Sequence, residues 1–207
     1  MADQGSMCVR RSNIKREFRH GTRGETAARC IGKIEPGIEI FGLTKGDFSL
    51  SDILRHLIAQ TGPCRIDIAT WTAANAEIKD AERMIHDKRI LSMRWLVDRS
   101  FPTRQPAYYH QLIERFGADA IRCANSHAKF MLIENDAWSI AVRTSMNLNR
   151  NARIESYEIS EGSPISRYLR EIVDHHFERP LDTGREAFRE YAAEEEMAAP
   201  PARLGVW

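Results

Sequence analysis

The sequence predicts an α/β protein in which helices flank a mixed sheet. Short apolar or alternating segments typical of strands recur along the chain, and amphipathic segments with helix start and stop signals lie between them. An alternating order of strands and helices indicates the α/β class. At 207 residues the chain suits one domain with a sizeable core.

The individual elements follow from local signals. Strands are predicted at 38–43, 64–73, 90–98, 118–123, 127–134, 137–142 and 157–160. Helices are predicted at 49–62, 75–88, 107–117 and 164–180. The first helix has Ser49 or Ser51 as its N-cap and stops at Gly62. Strands 127–134 and 137–142 should form a hairpin around Asn135 and Asp136.

Changes in composition divide the chain into three parts. We expect a flexible arm at 1–32, a folded domain at 33–180, and a peripheral helix and tail at 181–207. The arm is locally basic, and it is either a solvated tail or a phosphate-tracking segment. Its cations are Arg10, Arg11, Lys15, Arg16, Arg19 and Arg23.

Charge and hydropathy narrow the function classes. The formal net charge of +1 does not by itself predict a nucleic-acid partner, although it leaves room for a local basic groove. No stretch approaches 18 uninterrupted apolar residues, and the first twenty residues lack the apolar core of a signal peptide. We therefore expect a cytoplasmic protein without a membrane partner. The four cysteines are scattered, which favours reduced thiols over a disulfide framework.

Four polar residues flank the predicted hairpin. His127 and Lys129 stand two apart at the head of an apolar run, and Ser145 and Asn147 stand two apart after the returning strand. Residues i and i+2 of a strand face the same way, so the hairpin should bring these pairs together. An imidazole, an ammonium, a hydroxyl and an amide suit a phosphate group. Only His127 is a ready metal ligand, so we expect chemistry without a metal or another cofactor.

This part of the chain resembles the phospholipase D superfamily signature, H-x-K-x4-D followed by G-S-x-N. The matching residues are His127-Ala128-Lys129, then Glu134 after four residues, then Thr144-Ser145-Met146-Asn147. The resemblance covers about 126–158. It implies a phospholipase D-like fold and a metal-independent phosphodiesterase.

The resemblance also implies roles for the residues. In that family the histidine, here His127, attacks phosphorus and forms a phosphohistidine, and the lysine and asparagine hold the phosphate. Ser145 joins Lys129 and Asn147 among the groups that stabilise charge on the phosphoryl oxygens. A downstream glutamate orients the histidine. We assign that role to Glu158, and Glu155 is the second choice.

Two positions depart from the family pattern. Glu134 stands where the family has aspartate, and Thr144 stands where it has glycine. Both positions shape and support the site more than they attack the substrate, and we assign them with Glu155 to substrate binding.

A second motif copy is not expected. His86 and Lys88 form an H-x-K, but neither a matching acid nor Ser-x-Asn follows, so this segment is interpreted as a helix end running into a strand. Family members need two histidines. A single motif therefore implies a homodimer in which a two-fold axis brings both copies of His127 to one site.

The predicted function is a nuclease that cleaves DNA, because the arm is basic and no interfacial apolar helix is evident. One alternative is a degenerate module of the same fold that binds nucleic acid without cleaving it. The other is a hydrolase of lipids or small phosphodiesters.

Several aromatic and basic residues stay ambiguous. Trp71, Trp95 and Trp138 are interpreted as core or interface residues, with base stacking as the alternative. Arg99 or Arg104 either lines a phosphate groove or lies on the surface.

Overall fold

A computed structural model describes residues 15–21, 26–148 and 152–178. Within these residues a single eight-stranded sheet has the order β1-β2-β8-β7-β6-β3-β4-β5. The strands are β1 Lys15–His20, β2 Ile38–Thr44, β3 Cys64–Thr70, β4 Ile90–Asp98, β5 Ile121–Ala124, β6 Phe130–Glu134, β7 Ser139–Thr144 and β8 Glu155–Glu161.

The sheet is mixed, which confirms the fold class predicted from the sequence. Strands β3, β4 and β5 pair in parallel, and so do β1 and β2. The pairs in between, from β2 through β8, β7 and β6 to β3, are antiparallel. The parallel strands are joined by helical connections, as crossovers between parallel strands require.

Helices cover both faces of the sheet. They are α1 Ala27–Ile31, α2 Leu50–Thr61, α3 Asn75–His86, α4 Phe101–Arg104, α5 Pro106–Phe116 and α6 Pro164–Glu178, with a short 3₁₀ turn at Ala118–Ala120. The N-cap of α2 is Ser49, whose backbone N–H donates to the Asp52 carboxylate at 2.8 Å in a capping box. The helix ends at Gly62, whose φ of 76° is the left-handed conformation that glycine adopts without strain.

Two apolar cores lie on opposite faces of the sheet. The larger core joins the sheet to α1, α2, α3 and α5, and it includes Trp95 and Tyr157. The smaller core lies under α6, where Val173 packs with sheet residues such as Phe130 and Leu132. Strand residues therefore alternate between the two cores. Among the described residues, no helix is long and apolar enough to cross a membrane.

Within the first 32 residues, the structure describes two elements that the sequence did not predict. Lys15–His20 form the edge strand β1, and α1 packs Ala27 and Ile31 into the larger core. An edge strand with mostly exposed side chains carries no sustained apolar pattern, which is why the sequence did not predict it. Arg16 pairs with Glu39 at 2.8 Å, so part of the expected basic character is neutralised.

Several other predictions lie outside the described residues. They include the cations Arg10, Arg11 and Arg23, and the tail at 181–207. The division into arm, domain and tail stays a prediction.

Candidate active site

The segments that carry His127, Lys129, Ser145 and Asn147 meet at one edge of the sheet. At this edge β3 ends, β6 begins and β7 ends, because Ala69 of β3 pairs with Phe130 and Phe130 pairs with Arg143. Loops that follow the carboxyl ends of parallel strands are where open α/β sheets commonly bind ligands. The site is thus built on loops that a rigid sheet positions.

His127 and Lys129 lie in the loop between β5 and β6. The sequence predicted a strand from residue 127, but β6 begins only at Phe130. Lys129 Nζ lies 3.3 Å from His127 Nδ1 and donates to the His127 carbonyl oxygen at 3.1 Å. An imidazole that accepts at Nδ1 carries its proton on Nε2 when it is neutral. The arrangement therefore presents Nε2–H as a donor.

Lys129 is half-buried while His127 is exposed. Partial burial lowers the pKa of the Lys129 ammonium below its ordinary value, and the nearby Glu155 carboxylate opposes this shift by raising it. The Glu155 carboxylate therefore lies close enough to the Lys129 ammonium to influence its pKa.

Ser145 lies in the loop after β7 and is fixed from two sides. Its backbone N–H donates to the carbonyl oxygen of Ser156 at 3.1 Å, and its Oγ accepts from the Ser156 N–H at 3.0 Å. The Ser145 hydroxyl donates to the Glu155 carboxylate. This hydrogen bond holds the Ser145 hydroxyl beside Glu155, the carboxylate that raises the pKa of Lys129.

Thr144 shapes the turn that carries Ser145. Its hydroxyl donates to the Ser156 carbonyl oxygen at 2.6 Å and accepts from the Met146 N–H at 2.9 Å. Both contacts are to backbone, so the hydroxyl is occupied within the loop. The assignment of Thr144 to substrate binding stays a prediction, and in the structure its side chain closes the turn.

Asn147 supplies an amide to the site. Its Oδ1 is buried, and within the described residues it has no hydrogen-bond partner. A buried polar atom without a partner is costly unless a ligand or water satisfies it. Oδ1 accepts, so it suits a donor such as water, whereas a hydrogen bond from Asn147 to a phosphoryl oxygen would be donated by its Nδ2 group.

Glu158 lies on the other face of the sheet. On β8 Tyr157 and Ile159 belong to the larger core, so Glu158 between them points toward the α6 side. Its register partner on β7 is Arg143, with which it forms an ion pair. The structure therefore does not bring Glu158 to Lys129 and Ser145.

Glu155 is the acid that the structure brings to the site. It shares the face of Tyr157, it accepts from Ser145, and its charge acts on Lys129. The second choice from the sequence is thus the residue that the geometry favours. The signal that distinguishes the two glutamates is the alternation along β8, with the core residue Tyr157 between them.

Glu134 lies at the far end of β6, five residues after Lys129. Its carboxylate accepts from the Ser139 hydroxyl at 3.2 Å and pairs with Arg170 of α6. Arg170 also reaches Asp67 of β3 at 3.3 Å. The assignment of Glu134 to substrate binding stays a prediction, and in the structure its side chain joins α6 to the sheet.

Trp71 and Arg104 complete the site. The strand predicted at 64–73 ends at Thr70, which leaves Trp71 in the loop beside the motif. The ring centroids of Trp71 and His127 are 5.5 Å apart, and the Arg104 guanidinium carbon lies 3.7 Å from the Trp71 ring centroid. The sequence left both residues ambiguous because tryptophan is more often a core residue and arginine a surface residue.

The H-x-K pair of His86 and Lys88, which is not interpreted as a second motif, lies away from the candidate site. His86 is the last residue of α3, and Lys88 stands in the turn before β4, with a φ of 56°. The helix α3 has twelve residues and is about 18 Å long, and His86 lies at the end away from the Trp71 loop. Among the described residues, no cluster of three or more His, Cys, Asp or Glu side chains is arranged to hold a metal ion.

Comparisons with known proteins give fold likenesses only. No model of a known family matches the chain, and no curated protein matches it. In fold it is similar to NucT from Helicobacter pylori, with a TM-score of 0.47 and 14% identity over 68% of this chain and 96% of that one.

Two other solved structures are also similar. TrmBL2, an archaeal chromatin protein described with a novel mode of DNA binding, has a TM-score of 0.43 and 13% identity over 67% of this chain and 52% of that one. Phosphatidylserine synthase of Haemophilus influenzae Rd KW20 has a TM-score of 0.46 and 12% identity over 77% of this chain and 45% of that one. The chain thus spans about half the length of these two proteins. In the ordered residues His127, Lys129, Ser145 and Asn147, the chain resembles the phospholipase D superfamily.

Proposed function

We propose that the protein is a metal-independent phosphodiesterase that cleaves DNA through a phosphohistidine intermediate. One observation carries this proposal. The loop with His127 and Lys129 is joined to the loop with Ser145 and Asn147 by a backbone hydrogen bond of 3.0 Å, from the Thr144 N–H to the Lys129 carbonyl oxygen. This contact joins the two segments that carry a nucleophile, a cation and two neutral groups, and it supports the proposal because phosphoryl transfer needs such groups close together.

The first step forms the intermediate. His127 Nε2 attacks phosphorus with its lone pair, and the bond from phosphorus to the leaving oxygen breaks. Lys129 and Asn147 stabilise the phosphoryl oxygens, and Ser145 does so by turning its hydroxyl proton from Glu155 to the phosphate. Attack requires the proton on Nδ1 rather than Nε2. A bound phosphate draws the Lys129 ammonium to its oxygens and frees Nδ1, and the Glu155 carboxylate then favours the Nδ1–H tautomer.

The second step releases the product. A homodimer supplies the leaving oxygen with a proton from His127 of the partner subunit. That imidazole then takes a proton from water, the water oxygen attacks phosphorus, and the bond to His127 Nε2 breaks. The dimer is proposed because the described residues hold one motif per chain, and His86 and Lys88 lie too far from it to supply the second histidine.

DNA is proposed as substrate because cations gather at the same edge of the sheet. Lys45 follows β2, Arg99 follows β4, Arg153 precedes β8, and all three are exposed. Cations that lie along one edge of a sheet suit the phosphate charges of a nucleic-acid backbone. The chemistry is proposed to need no metal because His127 is the one strong metal ligand in the set, whereas the lysine, serine and amide are poor ligands.

The test is cleavage of plasmid and single-stranded DNA in excess EDTA. We compare wild type with His127→Ala and with His175→Ala, which removes an exposed imidazole on α6. Wild type and His175→Ala should cut, and His127→Ala should lose at least about 10⁴-fold in rate. The covalent intermediate between His127 and DNA is trapped and detected on a gel. Because phosphohistidine is acid-labile, the reaction is stopped with alkali rather than with acid.

The other outcomes select the alternatives. DNA retardation in a gel without cleavage would favour the binding module. Activity on lipid vesicles but not on DNA would favour the lipid hydrolase. Cleavage by His127→Ala at the wild-type rate would contradict the proposal.

A further inference from the structure

Three side chains from three different segments form a stack beside the reacting group. Trp71 follows β3, Arg104 ends α4, and His127 follows β5. The rings of Trp71 and His127 are tilted by 58° with centroids 5.5 Å apart, and the Arg104 guanidinium lies over the Trp71 ring at 3.7 Å. The indole thus contacts both an imidazole and a cation.

Arg104 is held in place by hydrogen bonds. Its Nη2 donates to the Trp71 carbonyl oxygen at 2.9 Å, and its Nε donates to Ser100 Oγ at 2.8 Å. The Ser100 backbone N–H in turn donates to Asp98 at 2.9 Å, and Asp98 is the last residue of β4. This chain of contacts anchors the guanidinium to the sheet. A cation fixed over an indole also fixes the indole.

His127 needs such a support. It lies in a loop, its side chain is exposed, and it is joined to Lys129 by a single contact at Nδ1. That contact must be released when Lys129 turns to the phosphate. In-line attack tolerates little misplacement, and an error of about 1 Å can lower a rate about a hundredfold.

We propose that Trp71 is a positioning residue for His127, and that Arg104 anchors Trp71 for this task. The inference rests on the proposed function, because it assigns Trp71 to the same reaction. Trp71 keeps the imidazole plane aligned while Lys129 moves from Nδ1 to the substrate.

The first test is the NMR resonance of the His127 Cε1–H group, assigned by its loss in His127→Ala. The ring current of Trp71 displaces this resonance, so Trp71→Leu should move it toward the position of the exposed His175. Trp138→Phe is the control, because Trp138 is half-buried at the other end of the hairpin. It should leave the His127 resonance unchanged. An unmoved resonance in Trp71→Leu would overturn the inference.

The second test separates kcat from KM. Trp71→Leu should lower kcat about tenfold and change KM less than about twofold, because alignment acts on the transition state. Trp71→Phe restores an aromatic ring and should keep kcat within about threefold of wild type. Arg104→Gln should lower kcat less than Trp71→Leu does. A Trp71→Leu variant with unchanged kcat, or a Trp71→Phe variant as slow as Trp71→Leu, would overturn the positioning role.

The two tests are independent of each other. The NMR comparison tests the contact between the Trp71 and His127 rings even if the protein does not cleave DNA. A failure of the proposed nuclease activity is therefore distinguishable from a failure of this inference.

Discussion

The backbone N–H of Thr144 donates to the carbonyl oxygen of Lys129 over 3.0 Å, at the point where β7 ends and just before β6 begins. The two halves of the motif are therefore joined through backbone atoms. This link does not involve the Lys129 side chain, whereas the Ser145 hydroxyl bonds to Ser156 and Glu155 within its own loop. A substitution of Lys129 therefore tests its chemistry with less disturbance of the fold than a substitution of Ser145.

Lys129→Gln should lose activity while the protein keeps its stability. The lost ammonium removes a positive charge from the phosphoryl oxygens, and we expect kcat/KM to fall about 10²- to 10³-fold. The free energy of unfolding in urea should change by less than about 0.5 kcal/mol, because Lys129 is linked to β7 through its backbone. Lys88→Gln, in the exposed turn before β4, is the control and should leave both quantities unchanged. Wild-type kcat/KM in Lys129→Gln would contradict the assigned role.

The two glutamates of β8 should behave differently. Glu155 accepts from Ser145 on the motif side, whereas Glu158 pairs with Arg143 on the α6 side. Glu155→Gln should lower kcat about a hundredfold, because the imidazole loses the carboxylate that favours its reactive tautomer. Glu158→Gln should stay within about threefold of wild type, since an exposed ion pair contributes little. Single-turnover cleavage of the same DNA measures both variants, and the reverse order would restore the assignment made from the sequence.

The sequence predicts features that depend on residue type and short spacing. The cap at Ser49, one of two candidates with Ser51, and the stop at Gly62 follow from such patterns. It does not decide between Glu155 and Glu158, because that choice depends on which residues of β8 face the larger core. It also leaves Trp71 undecided, since the end of β3 at Thr70 determines whether the indole is buried or beside the site.

Glu134 and Asp67 should matter for stability rather than for cleavage. Glu134→Gln removes an ion pair with Arg170 at the far end of β6 and should cost about 1 kcal/mol in the free energy of unfolding. Asp67 is 3% exposed and accepts from Arg94 at 2.7 and 2.8 Å, so Asp67→Asn should cost about 3 kcal/mol or more.

Urea unfolding measures both costs, and both variants should keep kcat/KM within about threefold at a temperature where they are folded. Exposed Leu91→Ala on β4 is a control for substitution on the sheet and should change stability by less than about 0.5 kcal/mol. A folded Glu134→Gln protein with a large loss of kcat/KM would show that Glu134 acts on the substrate, as the sequence had suggested.

The dependence of kcat/KM on pH should reflect the pKa of Lys129. Burial lowers the pKa of its ammonium and Glu155 raises it, with burial the larger influence. The protonated form holds the phosphate, so kcat/KM should fall as pH rises through this lowered pKa, at a lower pH than an ordinary lysine would give. Glu155→Gln removes the influence that raises the pKa of Lys129, so the alkaline fall of kcat/KM in this variant should begin at a lower pH still.

Normalised profiles of kcat/KM against pH measure this displacement. Glu158→Gln serves as the control, and its profile should match that of wild type. An alkaline fall that moves to higher pH in Glu155→Gln would contradict the proposed coupling between Glu155 and Lys129.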